Sequence, residues 1–160
     1  MAIISVSKLS EIRKKYRKNK IVFAGGVFDV FHTAHIKALK KLRIYGEIVV
    51  IGIVSDKRVK ERKGKNRPVL LEKERQEIVD AIKYVDFVVQ MPNPNKTYPK
   101  PTMLILKKLR PDIFVSVDRN WAPYRSKVED LGVKLKIVKR IHAVSSTAII
   151  ERILHKYGKK

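Results

Sequence analysis

The sequence predicts an α/β fold, a single domain built on a doubly wound, five-stranded parallel sheet. Three observations carry that expectation. Five short runs rich in apolar residues stand at intervals along the chain: "KIVFAGG", "EIVVIGIVS", "DFVVQM", "DIFVSV" and "VKLKIVKR". The second is apolar enough to be covered on both faces, as a strand in a parallel sheet is. Segments with helical spacing of apolar residues separate the runs, and strand alternating with helix winds a parallel sheet through right-handed crossovers.

Each element has its own signal. From Ser5 to Lys18, Leu9, Ile12 and Tyr16 form one stripe, which predicts an amphipathic helix placed before the first strand. Residues 1–20 are therefore expected to be a helical extension, and residues 21–160 the main domain. The first strand ends at Gly25 and Gly26, and from Ala34 to about Tyr45 the residues Ile36, Leu39 and Leu42 recur at helical spacing. After the second strand, Asp56 to Asn66 reads as a polar, basic loop. "LEKERQEIVDAIKYV" then sets Ile78, Val79, Ile82 and Val85 on one helical face before the third strand. A loop rich in proline and asparagine, "PNPNKTYPKP", leads to the helix "TMLILKKL", whose end Pro111 marks. The fourth strand, a helix ending in "KVEDLG" and the fifth strand follow. "SSTAIIERILHKYG" closes the chain as a helix capped by Ser145 or Ser146 and ended by Gly158.

Composition narrows the partners. The 160 residues suffice to bury one core. Against 15 Asp and Glu stand 37 Lys and Arg, a net charge of +22, which attracts nucleic acid, anionic lipid or phosphorylated small molecules. The alternative is a lysine-rich solvated surface of the kind thermophile proteins carry. Clusters such as "RKKYRKNK" and "RVKERKGKNR" keep nucleic acid among the candidate partners. The absence of cysteine excludes disulfide and thiolate chemistry and leaves any metal site to His and carboxylates. No run approaches membrane-spanning length, and the first residues lack a signal peptide's apolar stretch, so a soluble cytoplasmic protein without a membrane partner is expected.

The chemistry concentrates where the first strand hands over to a helix, in "IVFAGGVFDVFHTAHIKALKKL". Ligands of parallel sheets collect at the carboxyl ends of strands. Glycine there lets a ligand approach the backbone, and the following helix offers free N–H groups that favour phosphate. His32 and His35, three apart, lie on one face of the helix's first turn. A metal pair is an alternative reading, but only Asp29 accompanies the histidines; histidines without a role are another. Neither the Walker loop nor the dinucleotide glycine pattern is present. Phosphate binding is expected from these residues, and the reaction stays open.

"GGVFDVFHTAHIKAL" resembles the G-x-F-D-x-x-H-x-G-H signature of the cytidylyltransferase-like nucleotidyltransferase superfamily, whose fold is Rossmann-like. "GKNRPVLLEKERQEIVDAIKYVD", "RPDIFVSVDRNW" and "RIHAVSSTAII" resemble three further motifs in the family's order, over Ile21 to Ile150. The compact layout is similar to glycerol-3-phosphate cytidylyltransferases, while "SDKRVKERKGKNRPV" is nearer the adenylyltransferase module of ADP-heptose synthesis. Ala34 stands where the first motif has glycine. Val117 and Arg119 replace a glycine and the second of two acids, and Ile141, His142 and Ala143 replace a Thr-Glu-Gly stretch.

The resemblance implies transfer of a CMP or AMP group from CTP or ATP to a phosphorylated alcohol or sugar, with release of pyrophosphate and a slight preference for CTP. Magnesium accompanies the nucleotide, and a homodimer is implied, with the N-terminal helix available for the contact. His32, His35, Lys63 or Lys65, and Arg140 would be catalytic. Gly25, Gly26, Val27, Phe28, Ala34, Ser145, Ser146 and Thr147 would bind the nucleotide. Asp29, Arg67, Arg75, Asp118 and Trp121 would face the acceptor. Other roles stand beside several of these: Asp29 orienting the turn or capping the helix, Arg75 pairing with Glu72 or Glu74, Trp121 packing, and the serines only capping. A competing reading is a nucleic-acid-binding or nucleotide-sensing protein on a degenerate scaffold of this kind.

Overall fold

The computed structural model describes residues 2–93, 100–141 and 144–158. Its sheet is parallel throughout and has six strands, in the order β1-β4-β3-β2-β5-β6. They are β1 (Ala2–Ile4), β2 (Ile21–Gly26), β3 (Ile48–Ile53), β4 (Phe87–Gln90), β5 (Ile113–Ser116) and β6 (Lys134–Ile137). The expected count of five omitted β1. Three residues long and at the edge beside β4, it is too short to show a periodicity.

Alternation along the strands explains why helices cover both faces. Val22, Val49, Ile51, Val88, Ile113 and Val115 belong to one apolar cluster, and their neighbours Phe23, Val50, Val89 and Phe114 to the other. Successive side chains of a strand point to opposite faces, so each face needs its own layer. Helix α2 (Thr33–Leu42) contributes Leu39 and Leu42 to the first cluster, and α4 (Glu72–Asp80) adds Val79. The second receives Leu9 and Ile12 of α1 (Leu9–Lys15), Ile105, Leu106 and Leu109 of α5 (Lys100–Leu109), and Val128 of α6 (Arg125–Glu129). Trp121, in a 3-10 turn after β5, is 3% exposed and packs edge-on against Phe114.

Three further expectations change. Residues 56–66 are not all loop, because α3 (Asp56–Lys63) forms there behind an N-cap at Ser55 and stops at Gly64, whose φ of +92° suits glycine. The helix expected over Ser5 to Lys18 is the shorter α1, preceded by a 3-10 turn. Its apolar residues Leu9 and Ile12 are buried inside the molecule, and Tyr16 is half-buried. The last helix, α7 (Ser146–Tyr157), starts at the N-cap Ser145 as expected.

The strand order decides where a ligand can sit. From β2 the chain winds outward to β3 and β4, then returns to place β5 on the other side of β2. The order therefore reverses between β2 and β5, and the crevice beyond their carboxyl ends is the binding position for such a sheet.

Candidate active site

The loop leaving β2 is held from beneath by Asp29. Its carboxylate, 1% exposed, accepts hydrogen bonds from Arg67 Nε at 2.8 Å and from the backbone N–H groups of Val69 and Leu70 at 3.0 Å each. Phe28 and Val30, which flank it, have left-handed φ angles of 56° and 45°. That conformation is costly for non-glycine residues, above all a β-branched one, and the bonds to Asp29 restrain the segment between them. Gly26 completes the turn, because a Cβ there would meet the Phe28 ring at 2.5 Å. Asp29 therefore does not cap α2, whose N-cap is His32; it orients the turn by latching the segment 67–70 to the loop.

Arg75 is also interior. Wholly buried, it donates from Nε to Leu70 O, from Nη1 to Val27 O, and from Nη2 to Val54 O and Asp56 Oδ1. Its partner is Asp56 rather than Glu72 or Glu74, and it offers an acceptor no open face. Trp121 is likewise buried. Gly25 is exposed at the open end of β2, and Ala34, 6% exposed, sits in the first turn of α2.

The two histidines open α2. His32 occupies the N-cap, and its ring stacks on that of His35 with centroids 3.9 Å apart. The backbone N–H of His32 donates to Nδ1 of His35 at 3.4 Å. A neutral imidazole that accepts at Nδ1 carries its proton on Nε2 and presents it as a donor. Desolvation lowers the pKa of His35 to about 4, with the charges of His32, Lys63 and Arg140 pushing the same way and Asp29 opposing. His32 is lowered by desolvation as well, and its Nδ1 is buried without a hydrogen-bond partner among the described residues.

A cationic rim faces this pair. Lys63 ends α3; desolvation lowers its pKa, followed by repulsion from Arg67, Arg140 and Arg62 against the pull of Asp29. Lys65 is exposed beyond Gly64. Opposite the α2 N-terminus, Ser146 at the start of α7 donates from Oγ to the carbonyl of Asp29, while Ser145 caps the helix by accepting from Ala148 N–H at 3.1 Å. Two helix N-termini thus meet one loop, beside groups whose mutual repulsion a bound polyanion would relieve. Thr147 is exposed in the first turn of α7.

A cleft of about 400 Å³ adjoins the rim, lined by Arg58, Arg62, Asp118, Asn120, Pro123 and Tyr124. Of these the sequence pointed only to Asp118. Arg58 and Arg62 went unmarked because their segment read as loop; as α3 they stand one turn apart on one face.

Comparison with known proteins agrees with this geometry. The model of the family described as cytidylyltransferase-like matches residues 23–152. The chain belongs to the cytidylyltransferase-like family. It accordingly carries a nucleotidyltransferase domain. The bifunctional protein HldE of Geobacter metallireducens is 34% identical over 92% of this chain, and that of Syntrophotalea carbinolica 33% identical over 96%. The chain spans only 29% and 30% of those relatives' lengths. A lipopolysaccharide core biosynthesis protein from Thermoplasma volcanium superposes with a TM-score of 0.63 at 26% identity, over 79% of this chain and 99% of that one. A pantoate-β-alanine ligase from Francisella tularensis, 15% identical, shares the fold over 98% of this chain and 77% of its own, with a TM-score of 0.62.

The family motifs lie around one crevice: the first on β2 and α2, the second on the segment holding Arg67, the third beyond β5, the last at Arg140 and the start of α7. Of the substitutions in the last motif, His142 and Ala143 fall outside the described residues. Among the described residues no three His, Asp or Glu side chains gather as a metal-binding set, and no helix is long and apolar enough to cross a membrane.

Proposed function

We propose that this enzyme transfers AMP from ATP to the phosphate of a phosphorylated sugar. A phosphate oxygen of the acceptor attacks the α-phosphorus, the bond to the β-phosphate breaks, and pyrophosphate leaves with the electron pair. A phosphate monoester has a second pKa of about 6, so the nucleophile is already ionised at neutral pH. The protein's work is then to hold negative charge. His35 donates from Nε2 to the α-phosphoryl oxygens and His32 assists. Lys63 and Arg140 neutralise the charge building on the leaving pyrophosphate, and the N–H groups opening α2 and α7 bind the remaining oxygens.

The observation that carries this reading is the neutral His35, its proton directed to Nε2 by the His32 N–H, within a ring of cations at the strand-order switch point. ATP is favoured over CTP by the stretch from Ser55 to Val69, which is nearer the heptose adenylyltransferases, and by the HldE relatives. This reverses the slight preference for CTP drawn from the compact layout. Among the described residues no three His, Asp or Glu side chains gather to hold a metal, so a magnesium ion would arrive with the nucleotide and be held by its phosphate oxygens and water. When bound, that ion neutralises part of the triphosphate charge.

Pyrophosphate release from ATP and CTP, screened against phosphorylated sugars and alcohols, tests the proposal. His35→Ala should lower turnover by about two orders of magnitude through lost transition-state stabilisation, with an unchanged melting temperature. Undiminished turnover would remove His35 from its role, and release from CTP alone would exchange the donor.

A second copy of the chain is the remaining partner. Helix α7 leaves Ile153, Leu154 and Tyr157 more than half exposed. Antiparallel pairing about Ile153 and Leu154 would set Glu151 of one copy against Lys156 of the other. Light scattering should give a dimer that Leu154→Glu converts to a monomer; a monomeric parent protein would overturn this contact.

A further inference from the structure

We infer that the cleft beside Asp118 receives the acceptor and selects one that carries a second anionic group, a carboxylate or another phosphate, in addition to the phosphate that attacks. The inference rests on the transferase reading above and specifies its substrate class. The cleft, about 400 Å³, lies between α3 and the 3-10 turn after β5, next to the cationic rim, since Arg62 adjoins Lys63 and acts electrostatically on it. Its size is that of a small-molecule site.

The lining chemistry is specific. Arg62 approaches the Asp118 carboxylate at 3.8 Å, beyond hydrogen-bonding reach, and makes no hydrogen bond among the described residues. Arg58 gives one Nη1 bond of 3.3 Å to Glu61 and keeps its other side-chain donors. Two forked guanidiniums on one helical face bind a carboxylate or phosphate with paired bonds. Asp118 and Asn120, across the cleft, present acceptors and a donor suited to hydroxyl groups.

Arg58 stands apart from the attacking phosphate. That phosphate must meet the α-phosphorus beside His35 and Lys63, and Arg58 lies five residues before Lys63, about 7.5 Å along the helix axis. An acceptor reaching both places needs negative charge at each end. The polyhydroxylated middle of a sugar matches Asp118 and Asn120 between them.

Calorimetric titration of the protein, first with a non-hydrolysable ATP analogue and then with three probes, tests the inference. The probes are α-D-glucose 1-phosphate, α-D-glucose 1,6-bisphosphate and α-D-glucuronate 1-phosphate. The two probes that carry a second anionic group should bind roughly tenfold more tightly than the first, the worth of one charge-assisted contact. Arg58→Gln should erase that difference and leave the affinities for nucleotide and glucose 1-phosphate within about twofold. Lys60→Gln removes a nearby exposed charge on α3 and should preserve the preference, which separates a built site from general attraction. Equal binding of all three probes, no binding of any with nucleotide bound, or loss in Lys60→Gln equal to that in Arg58→Gln would overturn the inference. Failure of the nucleotide itself to bind would instead count against the transferase reading.

Discussion

His35 joins three constraints in one side chain: it stacks on His32, accepts from the His32 N–H, and is surrounded by cations. With a folded pKa of about 4 against the ordinary 6.5, the folded chain binds fewer protons than the unfolded one between those values. Its stability therefore falls as pH drops from 6.5, and the penalty is complete below about 4. Proton NMR of the ring should report an apparent pKa near the lower value in the free protein. Adding ATP should raise it, because phosphate charge favours the imidazolium. A titration that ATP leaves unmoved would mean that the triphosphate does not lie against this ring. The sequence made the histidines legible because their spacing of three on a helix start needs no tertiary information. The sequence also allowed Asp29 to orient the turn, but the partners of Asp29 and Arg75 were hidden, since Val69, Leu70 and Val27 lie some 40 to 50 residues away.

At the scale of elements, the strands beside the crevice were readable because burial on both faces removes polar residues from β2 and β3. Helix α3 was not, because it buries only Val59 and presents charge elsewhere. Its boundary signals were nonetheless in the sequence: Ser55 as N-cap, Asp56 in the first turn and Gly64 past the end. Charge content outweighed capping in the reading, and with α3 went Arg58 and Arg62. Helix α3 is fixed to α4 by Arg75, whose guanidinium joins Asp56 to the carbonyls of Val27 and Val54. Arg75→Met keeps comparable length but strands Asp56 and those carbonyls. The loss should be about 3–5 kcal/mol, as for a broken buried pair. Urea denaturation would measure it, and a change within about 1 kcal/mol, the range of exposed ion pairs, would show that the network is not the clamp described.

For the molecule as a whole, topology and charge converge on one edge of the sheet. The reversal between β2 and β5 opens the crevice, and Lys63, Arg67 and Arg140 gather there in a chain of net charge +22. A general excess of positive charge and a focused site predict different salt responses. Attraction of a triphosphate across solvent weakens as salt shortens the Debye length, whereas contacts closed around the bound nucleotide are screened less. Raising the salt roughly tenfold should therefore raise KM for ATP severalfold through weaker capture, with kcat nearly constant. Oligonucleotides should compete only at low salt, since scattered lysines attract a strand mainly through counterion release. Steady-state kinetics across a salt series, with and without a single-stranded oligonucleotide, would decide between the two accounts. Oligonucleotide binding of steep salt dependence, together with no pyrophosphate from ATP or CTP against any acceptor, would identify a nucleic-acid-binding protein on a transferase scaffold. A salt-sensitive KM beside a salt-tolerant kcat would identify the charge as a funnel to the crevice where His35 acts.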